Sequence, residues 1–140
     1  MADPWHHAVS SSRKWGGEPE DYLAVHAWFD EPKDHFCDPR SRALRHHTLG
    51  IAWAIEHFGP TITLSVCARC GKGPLADPHM SDDREFKPHL FEAKQIPTRW
   101  IGEQHCLEDF GRIPTVADWL RCMTTEPWMV RGSVKLSRIL

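Results

Sequence analysis

The sequence lacks an apolar run long enough to cross a membrane, which takes about 18 residues. Its first residues carry neither a positively charged leader nor an apolar stretch behind one, so we expect no secretory signal. Positive charge is not in excess either, because 17 Lys and Arg stand against 19 Asp and Glu, a formal net charge of −2. That balance argues against general nucleic-acid binding. We therefore predict a cytoplasmic protein that binds neither membranes nor bulk nucleic acid.

Several familiar motifs are also missing. There is no Gly-x-Ser-x-Gly elbow, no P-loop and no dinucleotide-binding fingerprint. The five cysteines do not indicate a disulfide framework, because their number is odd and two of them form a Cys-x-x-Cys pair. With 140 residues, 41% of them hydrophobic, the chain is long enough for a single domain, 1–140, with a modest core.

Local patterns in the first half of the chain predict two helices. We expect the first 18 residues to be irregular. A helix should begin at Pro19, a favourable first helical position, and end before Pro32. A second helix should run from its N-cap Asp38 to Phe58, because apolar residues recur there at helical spacing.

The second half predicts strands and further helices. Alternating polar and apolar residues at 61–66 are typical of a half-buried strand, and 96–101 should be its antiparallel partner. Short helices should cover 102–110 and the residues after Thr115. The segment 67–94 would then lie at the tip of a hairpin. We predict an α+β fold, with a few helices packed on a two-stranded antiparallel hairpin that bears a zinc-knuckle-like insertion.

The most specific short motif is Cys67-Ala-Arg-Cys70-Gly, whose spacing lets both sulfurs reach one metal ion. A closed tetrahedral zinc site needs two more ligands. The nearest candidates are His79 and His89, and His105 or Cys106 could join if the hairpin folds back. We expect a structural rather than a catalytic zinc ion here. The alternative is a pair of free thiols in a turn.

A second set of side chains has the composition of a hydrolytic metal centre, in which imidazoles hold the ion and a carboxylate activates water. Its members are His26, Asp30, His46, His47, Glu103, His105 and Asp109. On the predicted helix His46 and His47 point about 100° apart, so we do not expect them to share one ion. His47, within the apolar stripe, should be the one that points inward.

The site predicted from this set joins three histidines as metal ligands, His26, His47 and His105, with Glu103 or Asp109 as base or orienting group. The alternative is a set of buried histidines that are satisfied by carboxylates and by the backbone.

A third feature is a group of basic residues near the start of the second predicted helix. Arg42 and Arg45, together with His46, could hold a phosphate or carboxylate there. The alternative is a solvated face that pairs with nearby acidic residues.

Several segments of the chain match a known family. These segments are His6-His7-Ala8, Lys14-Trp15-Gly16-Gly17, Glu20-Asp21-Tyr22, His26 with Trp28-Phe29-Asp30, Arg42-Ala43-Leu44-Arg45-His46-His47, Gly50-Ile51, Phe58-Gly59, Arg99, Ile101-Gly102-Glu103-Gln104-His105, Glu108-Asp109, and Ile113-Pro114-Thr115 with Asp118-Trp119. In these strings the chain resembles a widespread family of small uncharacterised proteins from bacteria and their phages, a domain of unknown function. The resemblance implies no particular activity. It leaves out residues 67–94, which look like an insertion.

Three functions follow as hypotheses. The first is a small metal-dependent hydrolase of a phosphoester or nucleotide, with zinc as the cofactor and a small anion as the ligand. The second is a non-enzymatic accessory module of a phage or mobile element, which binds and blocks a ligand or a host protein. The third, a degenerate His-Asn-His nuclease built on Asp77-Pro78-His79, ranks last because a second cysteine pair and a basic surface are missing.

Overall fold

The computed structural model describes residues 3–74 and 89–130. Within these ranges the chain forms five α-helices and one two-stranded antiparallel sheet, which confirms the predicted α+β class. The helices are α1 (Pro4–Trp15), α2 (Pro19–Asp30), α3 (Thr48–Phe58), α4 (Thr98–Phe110) and α5 (Val116–Arg121). The strands are β1 (Thr61–Cys67) and β2 (Ala93–Pro97), and three short 3-10 turns cover Glu31–Asp34, Pro39–Leu44 and Pro127–Val130.

Helix α1 lies where the sequence predicted irregular chain, so that prediction is wrong. The Asp3 carboxylate accepts a hydrogen bond from the His6 N–H at 3.1 Å, and Pro4 occupies the first helical turn. Both features favour a helix start. Two glycines with positive φ, Gly16 and Gly17, then turn the chain, and α1 packs against α2. Helix α2 begins at Pro19 as predicted.

The single helix predicted from Asp38 to Phe58 is also wrong. The chain forms a 3-10 turn over Pro39–Leu44, changes direction, and begins α3 at Thr48. His47 is the N-cap of α3, and its Nδ1 accepts from the Gly50 N–H at 2.9 Å. A Cβ on Gly50 would lie 1.8 Å from the carbonyl oxygen of Arg45, so the turn needs glycine at this position. As a consequence, His46 and His47 do not lie on one helix.

Strands β1 and β2 pair as an antiparallel hairpin, in which Ile62 lies opposite Ile96. The predicted second strand was placed too late in the chain, because β2 ends at Pro97 and the next residues are already helical. Thr98 fixes the start of α4 by donating its backbone N–H to Pro60 O and its hydroxyl to Gly59 O. Residues 103–109 are therefore all helical, and their side chains repeat with helical spacing.

The core lies between α2, α3, α4 and the inner face of the hairpin. Its buried apolar members are Ala8, Tyr22, Val25, Phe29, Ile51, Ala54, Leu64, Ile96, Ile101 and Cys106. Helix α5 starts with the predicted capping box, in which Thr115 and Asp118 exchange hydrogen bonds. None of the helices in the described part of the chain has the length and apolarity that crossing a bilayer requires.

Candidate metal centre

Four buried polar side chains meet beside the apolar core. Asp30 is the last residue of α2, and His46 lies in the turn before α3. His105 and Asp109 are one turn apart on α4, so they project from the same face of that helix. All four side chains are at most 4% exposed. Burial of this much polarity in one place requires that the groups satisfy each other or a ligand.

The four inward atoms lie at closely similar separations. His46 Nε2 is 3.3 Å from Asp30 Oδ1 and 3.2 Å from Asp109 Oδ2. His105 Nε2 is 3.4 Å from Asp30 Oδ1 and 3.5 Å from Asp109 Oδ2. The two imidazole nitrogens are 3.0 Å apart. These atoms outline a small polyhedron of two nitrogens and two carboxylate oxygens, which we call the histidine–aspartate centre.

The ionisation of the two neighbouring imidazoles is set by their burial. Burial lowers the pKa of His26 to about 2, and the adjacent rings of His105 and His7 add to the effect. Burial also lowers the pKa of His105, and the facing Asp30 carboxylate offsets this only in part. Both rings are therefore neutral, each with one N–H and one bare nitrogen.

A chain of hydrogen bonds determines which nitrogen of His105 is bare. Gln104 Nε2 faces the Glu108 carboxylate, which can only accept, so the amide oxygen must accept from the Ser11 hydroxyl at 2.9 Å. Ser11 Oγ then accepts from Nε2–H of His26 at 2.8 Å. The bare Nδ1 of His26 accepts from Nδ1–H of His105 at 2.9 Å. His105 Nε2 thus presents a lone pair to the centre.

His7 orients the Asp109 carboxylate from the other side. Its Nδ1 lies 3.0 Å from Glu108 Oε2 and its Nε2 lies 3.2 Å from Asp109 Oδ1. Burial lowers the pKa of His7, but these two carboxylates outweigh burial and raise it. Asp109 thus faces His7 with Oδ1 and the centre with Oδ2. Outer partners of this kind fix the ligands of metal sites.

The histidine–aspartate centre has fewer N–H donors than its acceptor atoms need. The two Nε2 atoms are too close for both to be protonated, so His46 supplies at most one N–H to two carboxylates and the bare nitrogen of His105. Asp109 Oδ2 is buried with no well-directed hydrogen bond from any residue in the described ranges. Burial raises the pKa of Asp30 and of Asp109, but the facing imidazoles outweigh it and lower both. Two anions and a lone pair are the surroundings that a cation requires.

The spacing of the atoms fits a metal ion. Four donors placed about 2.0–2.1 Å from a tetrahedral zinc ion lie about 3.3–3.4 Å from each other. The separations between each imidazole nitrogen and each carboxylate oxygen, 3.2–3.5 Å, bracket that value. Asp30, His46, His105 and Asp109 together could hold one metal ion.

A cavity of about 250 Å³ reaches the histidine–aspartate centre from the surface. Asp30 and His46 form part of its inner wall, and Lys33 and Arg42 also line it. Lys33 Nζ is 3.5 Å from Asp30 Oδ2, and an Arg42 nitrogen is 3.9 Å from Asp109 Oδ2. The cavity thus adjoins the centre at Asp30 and His46, and two cationic side chains line it beside them.

The structure brings together only part of the predicted site. His105 and Asp109 both belong to the histidine–aspartate centre. His26 lies outside it, with Nδ1 2.9 Å from His105 Nδ1, and forms with His7 and His105 another group that could hold a metal ion. His47, predicted to point inward as a ligand, caps α3 instead, and His46 takes the inward position because the chain turns between them.

Two other predicted residues lie away from the centre. Glu103 pairs with Arg99 at 2.7 Å on the outer side of α4, because it is two residues from His105 on a helix. Arg45 binds Glu31 at 2.6 Å and stacks on the ring of Trp28, and it does not line the cavity. Of the predicted anion-binding group, Arg42 and His46 reach the cavity.

The Cys-x-x-Cys pair lies apart from this centre, at the end of β1. Cys67, Cys70 and His89 each place one possible ligand atom within 4.8 Å of the others. Cys67 Sγ is 3.4 Å from His89 Nε2. The predicted ligand His79 lies outside the described residues. His105 and Cys106 do not join this group.

The outer residues of the histidine–aspartate centre were missed from the sequence. His7 and Ser11 lie on α1, in the segment predicted to be irregular. No role in the site was predicted for Gln104 or Glu108. A usable signal was present: Asp3 followed by Pro4 is a helix start, and it places His7 and Ser11 one turn apart on one face.

Comparison with protein families supports the coarser part of the resemblance, a domain of unknown function. The bacterial and phage origin and the interpretation of residues 67–94 as an insertion stay predictions. Residues 2–92 and 87–129 match the family described as "Domain of unknown function (DUF6915)". The chain belongs to the DUF6915 family. No curated protein and no solved structure matches it. The match covers every residue of the histidine–aspartate centre and of its outer partners, as well as the Cys-x-x-Cys pair.

The hydrogen-bond chain behind His105 gives a first prediction. Ser11→Ala should weaken binding of a metal ion at the centre by about 10–100-fold, the usual effect of losing an outer partner. Without Oγ, His26 no longer has a fixed tautomer, so His105 is not held with Nε2 bare. Chelator competition measures the affinity. Ser12→Ala, which removes only a bond to Val9 O on the same helix, should leave it unchanged. Equal effects of the two variants would contradict the proposed role.

Proposed function

We propose that this protein is a small metal-dependent hydrolase of phosphate esters, with one zinc ion held by Asp30, His46, His105 and Asp109. The observation that carries the proposal is the cavity at the histidine–aspartate centre. Two of the four candidate ligands, Asp30 and His46, line this cavity together with two cationic side chains, Lys33 and Arg42. Such a pocket with convergent polar groups is the usual location of an active site.

Zinc is the ion that best suits these donors. Imidazole nitrogens select zinc, copper, iron and nickel, whereas calcium and magnesium prefer sites made of oxygen alone. Each nitrogen lies 3.2–3.5 Å from each oxygen, which suits the tetrahedral geometry that zinc adopts most often. The choice among transition metals is open to direct test, because the same donors also accept manganese or iron.

A catalytic ion is favoured over a structural one by the donor set and by its access. Structural zinc sites are mostly built from cysteine and histidine, whereas mixed histidine and carboxylate ligands are typical of hydrolytic zinc. Asp30 Oδ2 has no hydrogen-bond partner in the described ranges and lies on the residue that lines the cavity. This oxygen can accept a hydrogen from a water molecule that approaches the ion. With four protein ligands the ion would have to take that water as a fifth ligand, and it would then polarise the water and lower its pKa.

The walls of the cavity favour a small phosphorylated substrate. Lys33 and Arg42 supply positive charge, and the Arg42 side chain is mostly buried, with an Nε that has no partner among the described residues. A guanidinium with free donors is suited to phosphate oxygens. At about 250 Å³ the cavity is smaller than typical ligand pockets of about 300–1000 Å³. It therefore favours the phosphoryl group and a small alcohol over an entire nucleotide.

This proposal predicts that zinc-loaded protein releases phosphate from a phosphomonoester such as p-nitrophenyl phosphate. Arg42→Ala should raise KM by about tenfold or more, because a hydrogen bond to a charged group contributes about 1.5–3 kcal/mol. The bound metal should be unchanged. Steady-state kinetics on chelator-stripped, zinc-reconstituted protein measures both effects.

Arg99→Ala is the matched control, since it removes the same charge from an exposed position away from the cavity. It should leave KM unchanged. Loaded protein that hydrolyses no phosphomonoester would contradict the proposal. If such protein still bound phosphate through Arg42, the non-enzymatic binding module would become the better reading.

A further inference from the structure

The open end of the hairpin carries a second set of metal-binding side chains. Cys67 is the last residue of β1 and is paired in register with Ala93, the first residue of β2. Cys70 follows after one turn, and His89 comes four residues before β2. The three side chains thus approach from both arms of the hairpin, and their donor atoms lie within 4.8 Å of one another.

The distance between Cys67 Sγ and His89 Nε2 is close to the one that a shared zinc ion requires. With sulfur about 2.3 Å and nitrogen about 2.0–2.1 Å from a tetrahedral ion, the two donors lie about 3.6 Å apart. Cys67 Sγ and His89 Nε2 are 3.4 Å apart. A sulfur and an imidazole nitrogen at this distance can share one ion without any rearrangement of the strands.

The backbone around Cys67 has the form of a zinc knuckle. Gly71 adopts a positive φ of 72° and donates its N–H to Cys67 O at 2.8 Å, which closes a tight turn. A tight turn directly after Cys67 brings Cys70 back toward it, as two ligands of one ion require.

We propose that Cys67, Cys70 and His89 bind a second zinc ion, which fastens the two arms of the β1–β2 hairpin at its open end. The ion is separate from the one proposed for the histidine–aspartate centre, since the two groups share no residue. Its role is structural, because it joins two chain segments just beyond the last strand pair, Cys67 with Ala93, and the hydrogen bond from the Ala68 N–H to Glu92 O. A redox-active dithiol is the competing use of a Cys-x-x-Cys pair.

Cobalt(II) titration of the metal-free, reduced protein tests this inference. Wild type should bind two equivalents, and one of them should produce a thiolate-to-cobalt charge-transfer band in the near ultraviolet. Cys70→Ser and, separately, His89→Ala should each lower the affinity for the cobalt ion that gives this band by about 100-fold or more, and should diminish the band. The second equivalent and phosphoester hydrolysis should persist, which separates this test from that of the proposed function. Zinc should displace the cobalt.

Cys122→Ser is the control, because Cys122 is another free thiol but lies after α5, away from the hairpin. It should change neither the band nor the stoichiometry. The inference would be overturned if reduced wild type showed no thiolate band, or if Cys70→Ser left the band intact. A band that responds to Cys70→Ser but not to His89→Ala would exclude His89 as a ligand and overturn the three-residue site.

Discussion

Asp109→Asn should remove the metal ion from the histidine–aspartate centre and abolish hydrolysis while the fold is kept. The amide has the same shape as the carboxylate but carries no negative charge. It loses one of the two anions that compensate the ion, and the loss should exceed the 10–100-fold effect of an outer partner. Because the proposed mechanism needs the ion to activate water, we expect phosphomonoester turnover to fall by at least about 1000-fold. Metal analysis after gel filtration and steady-state kinetics measure the two losses.

Asp34→Asn is the matched control, since it makes the same chemical change at an exposed carboxylate that does not line the cavity. It should retain both metal and activity. A different result would favour the other interpretation, in which the centre is a network of ion pairs. Breaking a buried ion pair by removing one partner costs about 3–5 kcal/mol of stability. A loss of stability is therefore expected under both interpretations, and an Asp109→Asn protein that keeps its metal would contradict the proposal.

Much of the fold could be predicted from local patterns. The start of α2 at Pro19, strand β1 after Gly59-Pro60 and the Thr115–Asp118 capping box all depend on short-range rules, and each is found as predicted. The errors arise where a distant contact decides the structure. Residues 98–101 read as a strand, yet Thr98 binds Pro60 O and Gly59 O, and these contacts start a helix instead.

The candidate centre was predictable in composition and only partly in geometry. The set proposed from the sequence already contained Asp30, His46, His105 and Asp109. The choice of His47 over His46 followed from the assumption of one continuous helix. That assumption fails because Gly50 lets the chain pack against Arg45 O, so that His47 caps the helix and His46 turns inward. Helical periodicity carries no information about such a turn.

The support from α1 could not be found by periodicity alone. His7 comes from a region with little apolar pattern, and its partners Glu108 and Asp109 are more than 100 residues further along the chain. Adjacent segments of sequence do not reveal such a contact. The role of His7 is visible only once α1 lies against α4, which holds Asp109 Oδ1 and leaves Oδ2 free for the ion.

The second large prediction concerns the thermal stability of the folded protein. The centre brings two carboxylates together in a buried space, and a bound cation would offset their charge. An ion that binds only the folded state stabilises it by about 4.1 kcal/mol when its free concentration is about 1000 times Kd. For a domain of this size 1 kcal/mol shifts Tm by about 2–4 °C, so saturating zinc should raise Tm by about 10 °C. Calorimetry should be done in the Cys70→Ser background, so that the proposed hairpin ion contributes nothing to the shift.

The matched comparison adds Asp30→Asn and Asp109→Asn to the same background. With both anions removed, zinc should no longer change Tm. An ion-pair network predicts instead that zinc does not shift the Tm of the parent. A loss of stability in the metal-free double variant is expected in either case, because the facing imidazoles lower the pKa of both carboxylates and so stabilise their charged forms in the fold. The Tm shift caused by zinc therefore decides between the two.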